Sequence, residues 1–92
     1  MKFKEFKKEV IEYFYSINFV KRKYIKKSLK FKKSNNFYTV DFTFNGKNRK
    51  IYYHNDNWIV STYLACYFKT LKECYKSFLV GENIYEWIKY FW

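Results

Sequence analysis

The 92-residue sequence predicts an α+β fold: an N-terminal helix, a four-stranded antiparallel meander, and two C-terminal helices packed on one sheet face. Three observations predict it. Apolar residues recur every three and four positions at the start of the chain, the period then falls to two, and helix-start signals stand at Thr70 and Asn83. The whole chain, residues 1–92, reads as one domain, since a chain this short buries only about 60–65% of its unfolded surface in a single core.

Phe3, Phe6, Val10, Tyr13, Phe14 and Ile17 fall on one helical stripe, with Lys2, Lys4, Glu5, Lys7, Lys8, Glu9 and Glu12 opposite; Asn18 is the expected stop. In the next stretch, Lys21 to Lys33, period two places Ile25, Leu29 and Phe31 on one face and Lys26, Ser28, Lys30 and Lys32 on the other, so a strand is expected. Ser34-Asn35-Asn36 then turns the chain into Phe37 to Phe44, and closing on the two asparagines pairs Phe31 with Val40 and Leu29 with Phe42. Asn45-Gly46 is the strongest hairpin signal and leads into Arg49 to His54. A third hairpin at Asn55-Asp56 sets Tyr53 against Trp58 and Ile51 against Val60. This register collects Lys26, Lys30, Lys32, Thr39, Asp41, Thr43, Lys50, Tyr52 and Ile59 on the outer sheet face, with Asp41 placed to offset Lys30.

Residues 58–80 also fit a heptad and so admit one long helix. The capping box Thr70-Leu71-Lys72-Glu73 argues instead for a helix that starts at Thr70 and ends before Gly81. Asn83-Ile84-Tyr85-Glu86 repeats that logic for a last helix with Ile84, Trp87, Ile88 and Phe91 as its apolar side.

The charge is local. Of the formal +11, eight positive charges and no acid lie in Lys21–Lys33, and no acid occurs between Glu12 and Asp41. Seventeen Lys against two Arg, with eight Asn, seven Ile, one Ala and no Pro, is the usage of a very AT-rich genome, as in Firmicutes, Fusobacteria, mycoplasmas or their phages and plasmids. Codon bias explains Lys over Arg but not the missing acids, because Asp and Glu codons are AT-rich too. An anionic partner is therefore expected. Twenty-five aromatic residues exceed what one small core can hide, so some Tyr and Trp are expected at the surface.

Chemistry is sparsely provided. His54 is the only histidine and reads as a turn residue beside Asp56; the two glycines are 35 residues apart, so no phosphate loop exists; Cys66 and Cys74 lack metal-ligand spacing and suit core positions in a reducing compartment. No enzymatic activity, cofactor, metal or small-molecule substrate is expected. Glu5, Glu9 and Glu12 interrupt the N-terminal apolar positions, and the uncharged run Trp58 to Phe68 is 11 residues against about 20 for a membrane span. The expected location is the cytoplasm of a bacterial host.

The expected function is nucleic-acid binding through Lys21, Arg22, Lys23, Lys26, Lys27, Lys30 and Lys32, with Lys50 beside them and Tyr24 and Tyr52 as stacking rings. Lysines at every second strand residue stand about 6.5–7 Å apart, near the phosphate spacing of an extended strand. Few arginines imply weak base specificity. The alternative is an anti-defence inhibitor, of the anti-CRISPR kind, that docks on a nucleic-acid-processing protein. The bland alternative is edge protection, since lysines on an edge strand oppose sheet-to-sheet aggregation. The C-terminal Tyr90-Phe91-Trp92 suits a partner contact, a homodimer contact or a core plug.

A strand leading into Tyr67-Phe68-Lys69-Thr70-Leu71-Lys72-Glu73-Cys74 resembles the strand-to-helix junction of arm-type DNA-binding domains in tyrosine recombinases. That resemblance, over about a dozen residues and without the family's preceding basic, Gly-containing run, implies a sheet face that reads DNA with a helix behind it. The helix, strands, helix order also suggests a double-stranded RNA binder, but the lysine cluster that such domains carry at the second helix is reduced here to Lys69 and Lys72.

Overall fold

A computed structural model describes the backbone of residues 1–18, 20–61 and 65–91, and the side chains within those ranges except at 61, 65, 66 and 84–91. Helix α1 (Phe3–Ile17) is followed by a short α2 (Arg22–Ser28), strands β1 (Lys30–Lys33), β2 (Tyr38–Phe44), β3 (Lys47–His54), β4 (Asn57–Ser61) and β5 (Ala65–Phe68), and helix α3 (Leu71–Phe91). The mixture of helix and antiparallel strand is the α+β class that the periodicities predict. All five strands join one antiparallel meander in chain order.

Turn chemistry sets the register. Asn45 and Gly46 take φ of 51° and 76°, and Asn55 and Asp56 take 48° and 60°, the left-handed pair that a two-residue hairpin needs. Phe31 faces Val40, Ile51 faces Val60 and Tyr53 faces Trp58, as the spacing predicts. The pairing expected for Leu29 and Phe42 does not form, because β1 begins at Lys30.

One sheet face carries the core. Phe6 of α1 is fully buried, with ring centroids 5.9 Å from Phe31, 5.5 Å from Tyr38, 6.3 Å from Tyr53 and 5.4 Å from Trp58. Phe14 meets Phe42 at 5.3 Å, and Phe78 of α3 meets Phe42 at 5.4 Å and Phe44 at 5.0 Å. Phe6 and Trp58 stack and the other pairs are tilted or edge-on, arrangements that add stabilisation beyond the area they bury. Both long helices thus bury their apolar residues against the same side of the sheet.

Three elements depart from expectation. Residues 22–28 form a helix, so the basic stretch is split between α2 and β1. The period of two spans that boundary; within seven residues the buried anchor is Ile25, with Leu29 one turn on, too few points to show a helical period. Lys26 and Lys27 in the last turn also favour the helix, because cations stabilise its C-terminal dipole. Second, β4 and β5 pair antiparallel, which adds a fifth strand and sets aside the long helix. Third, the Thr70 cap is present, the Glu73 N–H donating to Thr70 Oγ1 at 3.2 Å, but α3 runs through Gly81 without a break.

The reason for that continuity is tertiary. A mid-helix glycine costs about 0.5–1 kcal/mol relative to alanine. Beyond it, Glu82 is 9% exposed and accepts from Arg49 Nε and Nη2 at 2.5 and 3.2 Å, which ties α3 to β3. Cys74 and Phe78 precede Glu82 at four-residue intervals on the same buried stripe, so breaking the helix would cost more than the glycine does. Cys74 is buried as expected. Cys66, the apolar side of the expected last helix and Tyr90-Phe91-Trp92 lie outside the described side chains.

Candidate nucleic-acid interface

The other sheet face carries alternate residues of each strand. In register across it run Lys30, Asp41 and Lys50, and beside them Lys32, Thr39, Tyr52, Ile59 and Tyr67. Lys30, Lys32 and Lys50 are exposed, Tyr52 and Ile59 are half-buried, and Tyr67 is 67% exposed. Thr39, a short side chain flanked by Lys32 and Tyr52, is buried between them. The Phe37 ring stands edge-on to Tyr52 at 5.8 Å and 62°, which restrains the tyrosine from one side.

Asp41 is the acid in this array. Its Oδ1 is buried without a hydrogen-bond partner, and Lys50 Nζ lies 3.6 Å away, close enough to neutralise the charge though too far for a hydrogen bond. Lys30 faces Asp41 in register, as expected, but the ion pair is made with Lys50. Among the described residues the face thereby keeps Lys30 and Lys32 as cations without a salt-bridged acid, and Lys50 is shared with Asp41.

Lys21, Arg22, Lys23, Tyr24, Lys26 and Lys27 occupy α2 and its N-cap, all exposed, one residue of chain before β1. Lys26 therefore does not share the strand face with Lys30 and Lys32, which is the correction the short helix imposes. Arg22 is partly committed: Nε and Nη2 donate to the two Glu12 carboxylate oxygens at 3.0 and 2.9 Å, and its guanidinium lies 4.1 Å from the Tyr15 ring centroid. That hydrogen bonding holds the Glu12 carboxyl below its ordinary value, with Lys8 and Lys26 adding weaker attraction. Lys23 Nζ stands 5.2 Å from the Tyr24 ring.

The turn end of the sheet holds a polar cleft of about 310 Å³ lined by Lys33, Asn35, Asn36, His54 and Asn55 among others. His54 Nδ1 lies 2.6 Å from the Asn36 carbonyl, which only accepts, so Nδ1 carries the proton and the ring tethers the end of β3 to the β1–β2 turn. This suits the turn role expected of it. Among the described residues no cluster of His, Cys, Asp and Glu could hold a metal ion, and no helix is long and apolar enough to cross a membrane.

Sequence reasoning placed Tyr52, Ile59 and the lysines on this face but missed Tyr67 and left Phe37 unused. The alternation of Cys66, Tyr67 and Phe68 held the signal for Tyr67, masked by the competing heptad. Comparison with protein-family models, characterised proteins and solved structures finds no match.

Proposed function

We propose that this protein is a non-enzymatic binder of nucleic acid, acting through the sheet face that the helices leave uncovered and the basic helix α2 beside it. The carrying observation is the segregation of roles between the two faces. Rings that hold the fold lie under α1 and α3, while Tyr52 and Tyr67 lie on the opposite face with Lys30 and Lys32 and with Asp41 neutralised by Lys50. Phosphates pair with the lysines and bases with the rings. Edge protection accounts for lysines on β1 but not for an exposed tyrosine on β5. A bacterial cytoplasm, with a phage or mobile element as source, is the setting we assign from the AT-rich usage.

Titration of labelled single-stranded DNA, duplex DNA and duplex RNA at 50 and 200 mM salt tests this, with a Lys30→Glu, Lys32→Glu variant alongside. Binding that weakens with salt and falls in the variant supports it; affinity weaker than about 100 μM for every ligand at the lower salt refutes it.

A second reading, an anti-defence inhibitor docking on a nucleic-acid-processing protein, rests on a patch that overlaps the first at α2. Tyr15, Ile17, Val20 and Tyr24 are 38–54% exposed at the α1–α2 junction, amid the α2 cations. Aromatic residues ringed by charge are typical protein contacts. A stoichiometric protein complex that survives nuclease treatment would favour it.

A further inference from the structure

The geometry points to single-stranded nucleic acid, laid across the strands along the Lys32–Thr39–Tyr52–Ile59–Tyr67 row, as the ligand of this face; the inference rests on the nucleic-acid reading above. Three features argue for an unpaired strand over a duplex. First, Tyr67 offers two thirds of its surface to solvent from the far edge strand, where it contributes nothing to the core. A ring so placed is useful to a base whose face is open, and the bases of a duplex are covered by their neighbours.

Second, the row alternates function at strand spacing. Strands about 4.8 Å apart put Tyr52 about 10 Å from both Lys32 and Tyr67, and the whole row spans about 19 Å. That length suits a site of about four nucleotides, the small end for stacking platforms, with a phosphate at Lys32 and bases at the two rings. Ile59 between the rings supplies an apolar floor. Third, the face is prepared in advance. Phe37 restrains Tyr52, and Asp41, the acid that would repel a backbone, is held by Lys50. Less ordering is then left to binding itself.

The test compares a fluorescein-labelled 12-nucleotide oligo(dT) with a labelled 12-base-pair duplex by anisotropy, for the wild type, Tyr67→Ala, Tyr67→Phe and the Lys30→Glu, Lys32→Glu variant. Tyr67 is exposed, so its truncation leaves the core intact, and circular dichroism checks this. We expect tighter binding of the single strand, a loss of about 5- to 150-fold in Tyr67→Ala for that ligand alone, and recovery in Tyr67→Phe, which keeps the ring. Equal or tighter binding of the duplex, or an unchanged single-strand affinity in Tyr67→Ala, overturns the inference while the lysine variant still reports on nucleic-acid binding. If neither ligand binds at 50 mM salt, the underlying reading fails instead.

Discussion

Replacing Glu82 by Gln separates what holds the fold from what faces a ligand. The Arg49 and Glu82 side chains are 24% and 11% exposed, so the pair is mostly shielded from water. Removing one partner of a buried pair costs about 3–5 kcal/mol. Gln retains one acceptor, and water reaches Arg49 from its exposed quarter, so the expected loss is about 2 kcal/mol. For a domain of this length, with a total stability of about 5–14 kcal/mol, that lowers Tm by about 8–16 °C. Urea unfolding followed by tryptophan fluorescence should show a lower midpoint at unchanged slope. The double variant Arg49→Met, Glu82→Leu should recover most of the loss, because apolar residues of similar size need no partner. Nucleic-acid affinity of the folded Glu82→Gln protein should match the wild type, since the pair lies on the helix-covered face. A loss below about 0.5 kcal/mol would refute the claim that this contact carries α3 past Gly81.

Two further predictions address charge. If a single strand extends from β1 onto α2, Lys21, Lys23, Lys26 and Lys27 join Lys30 and Lys32 as six phosphate contacts, and affinity should fall about 300-fold between 50 and 200 mM salt; converting the four helix lysines to Gln should shrink that to about 7-fold. A shallow wild-type slope would place α2 outside the interface. Glu12 should titrate below its ordinary value of 4.5 because Arg22 hydrogen-bonds its charged form. Its depressed folded-state value means the pair's contribution is complete above the ordinary carboxylate range and is lost as pH falls through the lowered value. An NMR titration should show Glu12 returning toward 4.5 in Arg22→Gln, and no change would contradict the pairing.

Much of the sheet was legible because its determinants are local. Asn-Gly and Asn-Asp turns fix hairpin register through the φ values of two residues, and a period of two then sorts every side chain to a face. Hence Tyr52, Lys30, Lys32 and Lys50 were correctly assigned to the outer face. The α1 stripe was legible for the same reason, being long enough to repeat its period four times.

Where a local rule meets a short element or a distant partner, the sequence alone decides less. It determined the α+β class, the turns, the register and a basic stretch in need of an anionic partner. The tertiary structure decided that residues 22–28 are helical, so that the lysines divide between helix and sheet, since a seven-residue helix is held by Ile25 docking in the core and not by its own period. It also decided that α3 crosses Gly81, through an ion pair 33 residues apart in the chain, and that β5 closes the meander and turns Tyr67 outward. Each of these depends on a contact between distant segments, whose free energy outweighs local preference and leaves no trace in any short window.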